Sequence, residues 1–340
     1  SMAIHWVHNN IHAFGGDPER IVICGQSAGA RSVQAQICSS MNEGIISGAI
    51  IQSGVSMMFG DEDNFGKEIM MLEEAEAYGS HFLETIGVAT LNEAKKMPAE
   101  ELMRRLAEVY KKEQFVFGLC IDGTFVRESA PSAYYNDRIM DIPLIVGVCQ
   151  GETQSRFIRG NLSYQDYLKK AEKYGDKKEK FLSLKKVTCD EDADELTAED
   201  AFNRFLGGTR GFCELRSSRG QKVYYYIFDH DIPGDDAGSF HGSDLWFMFD
   251  SLGNSWRPFE GKHYDLARQV TSYWTNFVKT GDPNGLDYNE NPLPVWEPYS
   301  KENKSVMRFM DCAVSEQLEE CPLLDLRLEL GKKVYGDDKN

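Results

Sequence analysis

No apolar run in the 340-residue sequence approaches the ~18 residues that a membrane-crossing helix needs, so no membrane span is expected. Basic residues are scarce: 37 Lys and Arg stand against 54 Asp and Glu, for a net charge of −17. Nucleic-acid binding requires basic surface that displaces counterions, which excludes that partner class. The acidity reads as solubility rather than steering. Cys-x-x-Cys pairs are missing, which argues against a zinc site. The 8 cysteines are too sparse for a disulfide-stapled scaffold, so buried free thiols in a reducing cytosol are expected. Cys312 and Cys321 are the one close pair worth testing. There is no internal repeat, no low-complexity tract and no signal peptide, and a cytoplasmic location is the expectation.

What is present alternates strand and helix. Residues 1–14 carry Ile4, Val7, Ile11 and Phe14 at helical spacing, with His5, His8 and His12 along another side as exposed helix histidines. Short apolar runs at 21–24, 48–54, 143–147 and 223–228 read as buried strands, and 306–309 as a last one. Strand, helix, strand at the first of these spacings is a βαβ unit and implies a parallel sheet. Residues 67–109 read as helical with breaks at Gly87 and Pro98, and 262–279 as a long amphipathic helix. Residues 155–220 are helical, charged and lysine-rich, suited to a cap or lid inserted between strands.

The chemistry centres on Gly25-Gln26-Ser27-Ala28-Gly29, set between the 21–24 strand and a helix over 28–37. Strand, G-x-S-x-G, helix is the context of a nucleophile elbow. Gly25 and Gly29 are expected to remove Cβ atoms that would clash in the strained turn. The Ser27 hydroxyl would be lifted clear of the sheet, and the N–H of Ala28 would face an oxyanion. The bland alternative is an ordinary turn with Ser27 as an N-cap. A base and an acid downstream decide between them. Glu152 follows the 143–147 strand and His241 follows the 223–228 strand, both on loops at strand carboxyl ends. His230 is the competing base, within what reads as a solvated acidic turn. Asp244 lies too near His241 in the chain to reach the far side of its ring, Asp122 reads as a structural turn residue, and Ser53 as a hydrogen-bonding neighbour. Phe240, Trp246, Phe247 and Phe249 either line an apolar pocket or belong to the core.

The segment Asn10-Ile11-His12-Ala13-Phe14-Gly15-Gly16-Asp17-Pro18, running into Gly25–Gly29, resembles the type B carboxylesterases, the cholinesterase-like group, and specifically a bacterial member. So do Asp122-Gly123, Pro143–Gly147 with Glu152, His241-Gly242, Lys279-Thr280-Gly281-Asp282-Pro283-Asn284 and Trp296-Glu297-Pro298-Tyr299. The resemblance spans the chain in the family's order. It implies an α/β-hydrolase fold, a mostly parallel sheet flanked by helices, with 155–220 as the helical cap. It implies a serine carboxylesterase acting on small-molecule esters, with Ser27 as nucleophile, Glu152 as acid, His241 as base and Ala28 as oxyanion donor, and with no metal or cofactor. A non-catalytic adhesion relative, or a lipase, thioesterase or lactonase on the same fold, is the alternative. Gln26 stands where cholinesterases carry a glutamate, which disfavours cationic choline esters. The family's glycine-rich oxyanion loop does not occur after Ser1. The expectation is therefore that residues 1–340 are the C-terminal two-thirds of one catalytic domain, lacking the N-terminal strands and associated with that missing segment.

Overall fold

β-Branched and aromatic residues concentrate in short runs, and each run becomes a strand because such side chains pack well on a pleated, half-buried surface. The structure, a computed structural model, describes residues 1–55, 58–60, 69–152 and 163–337, and of 197–203 the backbone alone. It divides into two units, residues 1–62 with 130–340, and residues 63–129.

In the larger unit, helix α1 (Met2–Asn10) tightens into one 3-10 turn and ends at Gly15, whose left-handed φ of 82° closes it. Strand β1 (Ile21–Gln26) leads through Ser27 into α2 (Ala28–Cys38), and β2 (Ile46–Gln52) returns beside β1. The smaller unit holds β3 (Met70–Met71), α3 (Leu72–Thr85), α4 (Leu91–Lys96), α5 (Ala99–Val109) and β4 (Cys120–Ile121). Its breaks fall beside Gly87 and Pro98, as the sequence suggests, while 67–68 lie outside the described residues. Its core is small: Ile86, Val88, Val109 and Phe115. The Asp122 carboxylate accepts N–H bonds from Thr124, Phe125 and Val126 at 2.9, 2.8 and 2.9 Å, which is the structural turn expected there.

The larger unit resumes with α6 (Ala130–Tyr135), β5 (Leu144–Cys149), α7 (Tyr164–Glu172), α8 (Lys178–Leu184), α9 (Asp190–Ser217) and β6 (Val223–Phe228). It closes with α10 (Leu245–Met248), α11 (Gly261–Thr280), β7 (Ser305–Phe309), β8 (Ala313–Gln317) and α12 (Pro322–Tyr335). The sheet order is β1-β2-β5-β6-β7-β8, parallel except that β8 runs antiparallel to β7. The hairpin strand β8 escapes sequence reading because Ala313-Val314-Ser315-Glu316-Gln317 is short and polar. Where described, the segment expected at 155–220 is α7 to α9; residues 155–162 lie outside the described part. Helix α9 leads into β6, and its Phe205, Phe212 and Cys213 enter the core on one face of the sheet. Helices α7 and α8 form their own cluster, Tyr167, Tyr174 and Phe181, with Leu326 and Leu330 of α12.

The opposite face is covered by α11, which buries Leu266, Ala267, Val270, Tyr273, Trp274 and Phe277. Each large apolar side chain buried this fully stabilises the fold by about 1.5–3 kcal/mol relative to exposure. Trp296 lies beneath, fully buried, and its indole N–H donates to the Tyr225 carbonyl at 3.1 Å. Asn284 holds it there: its side chain donates to the Trp296 carbonyl at 3.0 Å and accepts from the Trp296 N–H at 2.7 Å. The Gly281–Asn284 and Trp296–Tyr299 motifs are thus a packing device. Cys312 and Cys321 are free thiols, and Cys24, Cys189 and Cys312 are exposed rather than buried. Among the described residues no helix is long and apolar enough to cross a membrane.

Candidate active site

Three parallel strands deliver their carboxyl ends to one region. Strand β1 ends at Gln26, and the Ser27 N–H donates to the Gln52 carbonyl at 2.9 Å, one step beyond the ladder. Ser27 then takes φ 56° and ψ −117°, a conformation that L residues rarely adopt. Such strain persists only where surrounding structure fixes it. Gly25 is what makes the turn possible, because a Cβ there would lie 2.4 Å from the Gly29 carbonyl. Gly29 is different: a Cβ at that position meets nothing within 4 Å, so its expected steric role is not borne out. The Ser27 side chain makes no cap bond to α2, while its carbonyl accepts the Arg31 N–H at 3.1 Å. The N-cap alternative therefore fails on its defining contact. Ala28 opens α2, so its N–H belongs to the first turn, where no helical carbonyl is available to it.

Glu152 sits just past β5 with its side chain fully buried. One oxygen accepts the Cys149 N–H at 2.7 Å, and the other meets Nδ1 of His241 in a short contact. That contact places the proton on Nδ1 of the neutral ring and orients Nε2 outward. The same hydrogen bond raises the His241 pKa above the ordinary imidazole value; burial opposes this, and the charges of Glu152 and Asp244 add to it. His241 is part-exposed and packs against the Phe205 ring of α9 at 5.9 Å. Its loop is pinned beside Glu152, since the Gly151 N–H donates to the Ser239 carbonyl at 3.0 Å.

The other candidates separate cleanly. His230 is not solvated: it is 2% exposed, among the rings of Phe228, Phe247 and His263, and burial lowers its pKa. Asp244 does not reach His241. It is buried, accepting from the Tyr226 hydroxyl at 2.7 Å and Gln52 Nε2 at 3.0 Å, and burial raises its pKa. Ser53 also has a positive φ, 52°, but its hydroxyl is buried and among the described residues has no hydrogen-bond partner. Phe247 is core and Phe249 is exposed, while Phe240 and Trp246 flank the Arg257 guanidinium. His5 and His8 bond to the carbonyls of Met41 and Pro18 at 2.8 and 3.2 Å.

Sequence reasoning missed one neighbour of the base. His241 Nε2 hydrogen-bonds to Nε2 of Gln26 at 3.1 Å, and among the described residues no hydrogen bond joins it to Ser27. Nothing local in the sequence could have paired two residues 215 positions apart. The arrangement offers a hydroxyl at a strained strand–helix junction, a carboxylate-oriented imidazole and a free helical N–H, the parts needed for acyl transfer.

Comparison with known proteins finds carboxylesterases and esterases. The sequence profile of the Carboxylesterase family matches residues 1–321. Carboxylesterase 5A of Felis catus is 29% identical over 355 aligned residues, covering 94% of this chain and 61% of that protein. Cocaine esterase of Homo sapiens is 25% identical, covering 98% of this chain and 61% of that protein. The chain thus spans about three-fifths of the length of these curated relatives. Among solved structures, a carboxylesterase of Geobacillus stearothermophilus superposes with a TM-score of 0.67 at 25% identity, covering 96% of this chain and 67% of that one. A thermophilic PNB esterase superposes with a TM-score of 0.71 at 23% identity, covering 96% of this chain and 66% of that one, a likeness of fold.

Proposed function

The chain belongs to the carboxylesterase family and has the α/β-hydrolase fold, and from that premise we propose that it hydrolyses carboxylic esters through an acyl-Ser27 intermediate. The observation that carries the reading is the contact between Glu152 and His241 Nδ1, with His241 Nε2 on Gln26, the residue before the strained Ser27.

The chemistry runs in two halves. His241 Nε2 takes the proton of the Ser27 hydroxyl as Oγ attacks the ester carbonyl. The tetrahedral oxyanion is met by the Ala28 N–H, and each such donor contributes on the order of 2.7–4 kcal/mol to the transition state. Collapse expels the alkoxide, which receives the proton from His241. Water, deprotonated by the same imidazole, then attacks the acyl-serine and releases the acid. Glu152 holds the ring's tautomer and stabilises the imidazolium. No step calls for a metal or cofactor. Gln26, neutral and beside the nucleophile, offers no charge to a quaternary ammonium, so uncharged small esters are the substrate class.

The test is a fluorophosphonate probe, with the adduct mapped by mass spectrometry. Labelling at Ser27 that Ser27→Ala abolishes supports the reading. A folded protein that stays unlabelled while a control serine esterase reacts would refute it.

A further inference from the structure

Taking His241 as the base, we propose that Gln26 is a positioning residue: its carboxamide holds His241 Nε2 in the resting protein and competes with Ser27 for it.

The geometry leaves Nε2 with one role. Nδ1 faces Glu152, so in the neutral ring Nδ1 carries the proton and Nε2 offers a lone pair. The group that meets it is an amide nitrogen at 3.1 Å, which can only donate. Gln26 and Ser27 are successive residues at the end of β1, so donor and nucleophile leave the same strand end. Approach from the far side is allowed by Gly242, whose φ is +85°. A Cβ there would stand 3.3 Å from Gln26 Nε2, so any side chain at 242 would crowd the amide.

This contact does what a carboxylate in its place would not. An amide N–H donating to Nε2 stabilises the neutral imidazole, the form a general base must have. A carboxylate would stabilise the imidazolium instead. The groups facing His241 are Glu152 at Nδ1, the Phe205 ring from α9 and the Gln26 amide from β1, and the buried Asp244 of its own segment acts on it through its charge. Gln26 is the one member of this set that favours the uncharged ring by donating to it. The same bond must open before Ser27 can hand its proton to Nε2. Gln26 therefore sets both the pH at which the base becomes available and the competition the nucleophile must win.

The experiment is nitrogen-15 NMR of the histidine side chains in the wild-type chain and in Gln26→Leu, Gln26→Met and Gln26→Glu. It is paired with the pH profile of kcat/KM on p-nitrophenyl acetate. The titration midpoint of His241 should rise by about half to one pH unit in the Leu and Met variants, the worth of one neutral hydrogen bond. It should rise further in Gln26→Glu, and the acid limb of kcat/KM should move by the same increments. Leu and Met variants that keep the wild-type midpoint overturn the proposal. If the midpoints move and no form of the chain turns over ester, the role of Gln26 stands and the proposed activity falls. If ester is hydrolysed and neither midpoint nor acid limb moves, the role of Gln26 falls and the activity stands. Using two neutral variants of different shape keeps the test decisive if one of them does not fold.

Discussion

The central strands and the end strand of the sheet treat their functional residues differently. Every residue of β5 and β6 is buried, and these strands deliver Glu152 and the His241 loop. Strand β1, at the end of the sheet order, buries only Ile21, and it delivers Ser27. The proposed acid–base pair, Glu152 and His241, is thus held by packing on both faces and by hydrogen bonds on both sides of the carboxylate. The proposed nucleophile Ser27 is held in its strained turn by the Gln52 carbonyl that accepts its N–H and by Gly25, which admits α2. The proposed base and its carboxylate are thus held by the core, and the proposed nucleophile by the close approach of β1 to α2.

Removing the nucleophile is the largest blow available to that division. Ser27→Ala should lower kcat by about 10⁶-fold, as expected for a residue that acts as a unit with its base. Its melting temperature should stay near wild type, because the hydroxyl caps nothing in α2. Initial rates on an activated ester and a thermal melt check both halves. A variant that retains turnover would move the chemistry away from β1 altogether.

Next comes the buried carboxylate. Glu152→Gln keeps an acceptor for the Cys149 N–H but loses the charge behind Nδ1, and kcat should fall by about 10⁴-fold. The pH dependence has a definite sign. The Glu152 contact raises the folded-state pKa of His241, so its contribution to stability is complete below the unfolded value of about 6.5. That contribution is lost as pH rises through the folded value. The wild-type melting advantage over Glu152→Gln should therefore shrink across that window. Activity runs the other way, because the base must be neutral, so wild-type kcat/KM should rise through a pH above the ordinary imidazole value. An acid limb at or below 6.5 would contradict the contact.

The glycines of the elbow separate the two kinds of constraint. Gly25→Ala forces a Cβ to 2.4 Å from the Gly29 backbone and should cost about 3 kcal/mol, with loss of activity. Gly29→Ala meets nothing and should be neutral or stabilise the helix by up to about 1 kcal/mol. Denaturant melts of the two variants, run side by side, check the contrast. If both variants suffered alike, the turn rather than the close approach would be the constraint.

This contrast also marks what the sequence can disclose. The strand cores and the placing of Glu152 and His241 on loops after strands were legible because apolar runs and loop positions are local signals. The placement of His230 was not, because Asp229 and Asp231 suggest solvent while Phe247 and His263, which enclose it, come from later helices. The βαβ unit at the elbow was readable, but the division at 63–129 was not, since nothing in its helical pattern differs from that of a flanking layer. Gly29 was misjudged because the pentapeptide names both glycines and the geometry uses one. The partner of Nε2 was out of reach because tertiary structure alone joins Gln26 to His241.

The smallest effect probes the ground beneath the central strands. Asp244 is buried under the site, and one of its oxygens accepts from both Tyr226 and Gln52. Burial raises its folded-state pKa, so the folded chain holds the proton more tightly than the unfolded chain does. Stability is therefore lost as pH rises from the unfolded value, about 3.9, through the raised folded value. Asp244→Asn cannot ionise and keeps the shared acceptor. Its stability should lie within about 1 kcal/mol of wild type near the bottom of that window and gain on it as pH climbs. Asp244→Ala supplies the control, since it strands the Tyr226 O–H and the Gln52 N–H and should cost about 1–3 kcal/mol at every pH. Urea melts of the three proteins across the acid range give the answer. A wild type that gains on the Asn variant with rising pH would mean that the central strands hold a paired carboxylate, not a buried acid.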